Sequence, residues 1–227
     1  MITVKITGWL WNQMFQYAYI RSFALRSNTD FLLDISEYET YFRKFELEIF
    51  DIQKKYAKKN QIPWFERIHI KNTYLNAIIF RIKYLLKKYN QKYYLEKQFN
   101  FDIKWLTSHA EYIEWFFQSE KYFIDFESQI RKDFIFINTP SIKNKELIDL
   151  IQSSNAVSVH VRRWDYISNS GANSLLGTCT LDYYQKAIEY IQSKLDNPTF
   201  FFFSDDIAWV KENIKVEIVI VVEGYCG

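Results

Sequence analysis

The sequence predicts an α/β protein whose strands form parallel layers, the second half arranged as βαβαβ in the manner of a nucleotide-binding domain. Three observations predict it. Short β-branched or aromatic runs alternate with helical patterns along the chain. Residues 2–34 already read strand, loop, helix, strand. After Asn138 the same alternation resumes and continues to Val222.

The elements follow in order. Ile2-Thr-Val-Lys-Ile6 is a buried strand, Gly8–Gln13 a loop, and Met14–Arg26 a helix with small and apolar residues near helical spacing. Phe31-Leu-Leu-Asp34 is a second strand ending in a carboxylate. The stretch from Tyr38 to Lys97 is less regular and more basic, with Lys54-Lys55 and Lys58-Lys59 around Tyr56-Ala57. Within it, Ile78 to Lys88 reads as an amphipathic helix with a cationic face, either solvated or docked on an anionic membrane surface. Glu111-Tyr-Ile-Glu114 is a strand, and a helix is expected to open at Phe116. Asn138-Thr-Pro-Ser141 is the linker. Beyond it come a helix at Lys145–Gln152, a strand at Ala156–Val161, a helix at Thr180–Leu195, an aromatic strand at Phe200–Phe203, and a helix capped by Ser204 or Asp205. Ile218–Val222 is the last strand. The expected domains are 1–140 and 141–227.

Composition narrows the function. With 227 residues, 48% of them hydrophobic, the chain has ample material for a packed core. A net charge of +2 gives no mandate for nucleic acid. Cys179 and Cys226 form no CxxC pair or ligand cluster, which fits a reducing, cytoplasmic setting. The opening residues lack the apolar core of a signal peptide, and no window reaches the ~20 apolar residues of a membrane helix. Glycine is scarce, 5 residues where average usage of about 7% would give roughly three times as many. Tryptophan, at 7, is generous.

His160-Val-Arg-Arg-Trp-Asp-Tyr166 ends a predicted strand, where ligands of open α/β sheets collect. Two arginines there suit a pyrophosphate, which accepts charge-assisted and often bidentate hydrogen bonds. His160 and Arg162 share a face if the strand continues, and Asp165 can orient an arginine or accept a sugar hydroxyl. The plainer alternative is a charged strand end with a buried histidine. Asp205-Asp206 follows the next strand, either capping a helix or meeting a base or ribose. No DxD pair or histidine cluster supports a metal there.

Four segments carry a resemblance. Thr7-Gly-Trp-Leu-Trp-Asn-Gln-Met-Phe-Gln-Tyr-Ala18 resembles G-G-L-G-N-Q-M-F-Q-Y-A, and Tyr112-Ile-Glu-Trp-Phe-Phe-Gln-Ser-Glu-Lys-Tyr-Phe123 resembles Y-x-E-G-Y-F-Q-S-E-K-Y-F. Val157-Ser-Val-His-Val-Arg-Arg-Trp-Asp-Tyr166 resembles V-S-V-H-x-R-R-G-D-Y, and Phe201-Phe-Phe-Ser-Asp-Asp-Ile-Ala-Trp209 resembles F-F-S-D-D-x-x-W. These are motifs of the α-1,2-fucosyltransferases, in the family's order and across most of the chain. The resemblance implies a GT-B-like enzyme of two α/β domains around a cleft, the N-terminal one on the acceptor side and the C-terminal one holding the nucleotide sugar. It implies transfer of L-fucose from GDP-β-L-fucose to the 2-hydroxyl of a terminal galactose-type sugar, with inversion and without a metal cofactor. The acceptor would be an oligosaccharide or a lipid-linked glycan. By the same carry-over Arg162 is the leading phosphate ligand, Arg163 supports it, and His160, Asp165, Ser204, Asp205 and Asp206 complete the donor site. Asn12, Gln13 and Glu114 lie on first-domain loops, and Asp165 and Glu114 are the candidate general bases.

Two departures stand out. Trp9, Trp11, Trp115 and Trp164 occupy positions where the family has glycine, while Trp209 matches a family tryptophan. Since neighbouring motif residues are intact, the pattern points to UGA codons read as tryptophan where the source reads glycine. Real tryptophans would instead suggest a degenerate, non-catalytic sugar-binding protein. The family's S-S-F-S-W-W-G-A-W block is also absent before Gly227, so the second Rossmann-like domain is expected to be incomplete and this chain inactive. A different GT-B transferase is the remaining alternative.

Overall fold

The computed structural model describes residues 1–227 except 40–42, 69–72, 91, 96–99, 108, 164–177, 217–218 and 223–227. The chain falls into two compact units, Met1–Thr139 and Pro140–Gly227.

In the first unit β1 (Ile2–Lys5), β2 (Phe31–Asp34), β3 (Tyr93–Leu95) and β4 (Tyr112–Glu114) form a parallel sheet in the order β2-β1-β4-β3. Parallel strands need a crossover, and α1 (Leu10–Ser27) provides the one between β1 and β2. Val4, Ile6, Leu33 and Ile113 pack on Tyr17, Tyr19, Ile20 and Phe117 to make the core. The register pairs Lys5 with Asp34 on one side and with Glu114 on the other. Three adjacent strands therefore end in a charged residue on one row, at the carboxyl edge of the sheet.

α1 begins four residues earlier than the sequence predicts, and its cap explains why. Trp9 at the N-cap makes no side-chain capping bond, and the first turn holds no acidic residue. The Leu10 N–H instead donates to the Glu46 carboxylate at 3.1 Å, so a distant residue satisfies an orphan donor of the first turn. The helix ends at Asn28 in the left-handed conformation (φ 48°), a common termination for asparagine.

The helix expected at Phe116 is absent. Trp115 (φ 154°) and Phe117 (φ 51°) both leave the helical region, and Phe117 and Tyr122 turn into the core. Only short 3-10 turns precede α3 (Glu127–Asp133). The amphipathic stretch in the middle of the chain forms α2 (Thr73–Tyr89).

The second unit contains α4 (Ile142–Gln152), β5 (Asn155–Val161), α5 (Leu181–Gln192), β6 (Pro198–Ser204), α6 (Ile207–Asn213) and β7 (Val219–Val222). Its strands are parallel in the order β5-β6-β7. Alternation along β5 turns Val157, Val159 and Val161 toward the cluster of Tyr184, Ile188, Phe200, Phe202 and Val210, and leaves Ser158 and His160 exposed on the other face. Thr180 caps α5 by accepting from the Tyr183 N–H. Among the described residues no helix is long and apolar enough to cross a membrane.

Candidate functional site

The carboxyl edge of the first sheet is built by the loop between β1 and α1. Gly8 has φ 80°, and a Cβ there would meet Asn12 Nδ2 at 2.5 Å, so glycine is required for the chain to turn back over Asn12. Two fully buried glutamines then fasten the loop. Gln16 Oε1 accepts from the Thr7 N–H at 2.9 Å, and Gln13 Nε2 donates to the Gly8 and Lys44 carbonyls at 3.0 Å each. Gln13 Oε1 accepts from the Glu46 N–H at 2.9 Å. These bonds satisfy backbone groups that an irregular turn would leave unpaired. Asn12 and Gln13 thus lie in the first turn of α1 and not in a loop, and Gln13 spends its side chain on the protein. Asn12 is the outward member: its Oδ1 accepts from Gln118 Nε2 at 2.9 Å, joining the first motif to the second.

Glu114 is also placed differently from its sequence expectation, at the end of β4 inside an ion network. Lys87 Nζ lies 2.5 Å from its carboxylate and Lys5 Nζ 3.5 Å, and Tyr93 donates its hydroxyl to it. Lys5 also meets Glu66 at 2.9 Å and Glu37 at 3.3 Å, and Lys87 meets Glu66 at 3.0 Å. Burial by itself would lower the Lys5 pKa, but the charges of Glu114, Glu66 and Glu37 overcome it and raise the group well above the lysine range. Burial would likewise raise Glu66, yet Lys5 and Lys87 hold it down at about 2. Tyr93 and Tyr112 are pushed up, by burial first and then by Glu114 and Asp34 respectively. A carboxylate gripped by two ammonium groups and a phenol is a structural strut.

The described tryptophans at family-glycine positions separate into distinct cases. Trp9 has an ordinary φ of −76° and carries the Arg43 guanidinium 3.5 Å over its ring. Trp11 is an exposed helical residue edge-on to Phe15. Neither crowds the turn, because the position that needs positive φ is Gly8. Trp115 does hold a backbone conformation suited to glycine. Trp164 lies outside the described residues.

In the second unit the site forms where β5 and β6 end. β5 stops at Val161, so Arg162 and Arg163 follow the strand and do not share its face with His160. Val161 pairs in register with Ser204, which brings the two motifs side by side. The Arg163 N–H donates to Asp205 Oδ1 at 2.9 Å, its Nε lies 3.4 Å from Asp206 Oδ2, and its guanidinium sits 4.0 Å over the Trp209 ring. Asp206 is the N-cap of α6, accepting from the Trp209 N–H at 3.1 Å, in place of Ser204 or Asp205. Ser204 is buried and accepts from the Asp206 N–H at 2.9 Å, a supporting position and not a surface one. Arg162, Asp205 and His160 are exposed, so the histidine is not the buried core group of the plainer alternative. Asp165 lies outside the described residues. Among the described residues no group of His, Cys, Asp and Glu side chains could hold a metal ion.

Three features were missed from sequence: the fastening role of Gln16, the Lys5–Glu66–Lys87 network, and Trp209 as the platform under Arg163. Gln16 and Trp209 had a local signal, since each belongs to a quoted motif, whereas the ion network had none.

The motif pairs thus meet at strand ends. The model of glycosyl transferase family 11 matches residues 1–227. The chain belongs to glycosyl transferase family 11. It is similar to a protein of Escherichia coli named alpha-1,2-colitosyltransferase, 33% identical over 216 residues, which are 93% of this chain and 71% of that relative. It is also similar to the O-antigen biosynthesis glycosyltransferase WbnK of Escherichia coli, 28% identical over 234 residues, with 91% and 73% covered. Among solved structures, NodZ alpha-1,6-fucosyltransferase co-crystallized with GDP matches with a TM-score of 0.51 and 17% identity, over 98% of this chain and 78% of that one. That likeness concerns the fold alone. The family 11 chain is a glycosyltransferase with α/β units and parallel sheets.

Proposed function

We propose that this family 11 glycosyltransferase moves L-fucose from GDP-β-L-fucose to the 2-hydroxyl of a terminal galactose-type sugar, with inversion. The observation that carries the reading is the arginine pair at the carboxyl edge of β5. Arg163 is anchored by Asp205, Asp206 and Trp209, and the exposed Arg162 is mounted between that anchor and the strand. The difficult step is departure of GDP from an oxocarbenium-like sugar. As the acceptor oxygen bonds to C1, the C1–O bond to the β-phosphate breaks and its electron pair leaves on GDP. A guanidinium aimed at that phosphate stabilises the developing charge, and no metal enters this reading. The acceptor proton passes to a carboxylate. Glu114 is committed to Lys5, Lys87 and Tyr93, which leaves Asp165 as the base in this reading. His160 and Asp205 border the donor, and Asn12 with Gln118 belongs to the acceptor side. The enzyme would work in the cytoplasm on an oligosaccharide or lipid-linked glycan.

The 33% identical relative named a colitosyltransferase favours a second reading, the same site with another sugar on the donor. The test measures GDP release and glycoside formation on a galactoside, in protein that carries glycine at 9, 11, 115 and 164 and the S-S-F-S-W-W-G-A-W block of a relative after residue 227. GDP-fucose and GDP-colitose compete as donors. Transfer of fucose that chelator leaves unchanged, and that Arg162→Ala lowers on the order of a hundredfold, supports the proposal. Preference for the colitosyl donor selects the second reading, and wild-type turnover by a folded Arg162→Ala removes Arg162 from its role. The chain with all four tryptophans is expected not to transfer.

A further inference from the structure

α2 is apolar on its outward side, which is unusual for a helix of a water-facing surface. Ile79, Lys83, Leu86 and Lys87 are its half-buried side. Leu86 packs against the cluster of Ile62, Phe65, Tyr93 and Tyr112, while Lys83 reaches the Glu66 carbonyl at 3.3 Å and Lys87 joins the ion network. The opposite side exposes Ile78, Ile82, Leu85 and Tyr89, spaced i, i+4, i+7 and i+11 as one stripe. Arg81 and Lys88 border that stripe, and Phe80 and Tyr84 lie beyond them, also exposed. Residues 73–89 include no acidic side chain. The segment held against α2 by Glu66 and Phe65 adds an exposed Trp64 and an exposed Arg67.

We propose that α2, with Trp64 and Arg67, is a docking surface for an anionic lipid bilayer, on which the helix lies in the plane of the headgroups. Charge decides between a bilayer and a second copy of the chain. In a two-fold contact Arg81 and Lys88 would face their own copies, with no acidic residue on the helix to meet them. A layer of anionic headgroups answers both cations while the acyl boundary takes Ile78, Ile82 and Leu85. Trp64, Phe80 and Tyr84 are aromatic groups of the kind that settle at that boundary. The inference does not rest on transfer chemistry, because lipid binding is read without donor or acceptor.

The experiment is flotation of the full chain with phosphatidylcholine vesicles, with and without phosphatidylglycerol. Helical content is checked by circular dichroism and oligomeric state by light scattering. The wild type is expected to float only with the anionic vesicles and to detach in high salt. R81Q/K88Q should weaken binding about thirtyfold, as expected for two basic groups at an anionic surface. I78S/L85S should also weaken binding while the protein stays monomeric. Absence of wild-type binding, or binding that neither variant changes, overturns the proposal. So does a wild-type dimer that I78S/L85S converts to monomer.

Discussion

The two sheets of this protein end in charged residues at the same kind of place and put them to opposite uses. At the carboxyl edge of β1 and β4, Lys5, Glu66, Lys87 and Glu114 neutralise one another with side chains only 2–17% exposed. At the carboxyl edge of β5 and β6, Arg163 and Asp206 form one anchored pair, and Arg162 and Asp205 beside them remain exposed. The same position on an α/β sheet therefore carries two different arrangements of charge. The edges differ in how far their charges are withdrawn from solvent: the first buries its four almost completely, while the second holds Arg162 and Asp205 at an exposed surface beside a fixed pair. In the first unit the closed network ties α2 and the Glu66 segment to the sheet. In the second, the closed pair supports its exposed neighbour.

The largest expected effect tests the closed edge. Glu66→Gln leaves Lys5 and Lys87 short of a buried counter-charge and should cost about 3–5 kcal/mol, read from urea unfolding of the first unit's transition. At the open edge, Asp205→Asn should change unfolding by less than about 1 kcal/mol, since its carboxylate is exposed. Equal destabilisation by both would erase the contrast. The closed edge also predicts an acid limit. Because Glu66 has its pKa lowered from 4.5 to about 2 in the folded protein, its contribution is complete above 4.5 and is lost as pH falls toward 2. Melting temperature should drop across that window, and Glu66→Gln should flatten the drop.

Trp209→Leu should lower transfer about tenfold by loosening Arg163, a smaller loss than Arg162→Ala produces. Trp209→Phe, which keeps a ring under the guanidinium, should restore most of it. A pure packing role would instead show as equal losses of stability in both Trp209 variants with transfer unchanged.

The smallest effects separate the family-glycine positions. Trp115→Gly should stabilise by about 1 kcal/mol, because strain relief at φ 154° outweighs the packing that a half-buried ring supplies. Trp11→Gly should destabilise by about 1 kcal/mol, because glycine is a poor residue inside a helix. The codons for residues 9, 11, 115 and 164 are expected to be UGA and that for Trp209 UGG. Tryptophan found at the four sites by mass spectrometry of native protein would support the degenerate reading instead.

Much of the site is legible in the order of the amino acids. The strands at Phe31, Ala156 and Phe200 announce themselves through β-branched and aromatic runs. The arginine pair and the Asp205-Asp206 pair stand immediately after two of them, where a parallel sheet presents ligands. The first turn of α1 is not legible, since its cap comes from Glu46 and neither Trp9 nor Leu10 hints at it. Nor is the stretch after Trp115, whose helical pattern is overridden by two residues with positive φ.

The sequence by itself determined the order of strands and helices, the parallel layers they must form, and the motif residues assembled at the second sheet's edge. Those follow from local periodicity and from residues adjacent in the chain. Tertiary structure alone decided that Gln13 and Gln16 fasten the first loop, that Glu114 is locked between lysines, and that Arg163 is the anchor while Arg162 is exposed. Gln16 folds back on nearby Thr7 and Gln13 reaches Lys44 and Glu46, while the other two depend on partners far apart in the chain, as Lys5 meets Glu114 and Arg163 meets Asp206. A side chain's chemistry is set by what faces it after folding, and one-dimensional spacing does not contain that information.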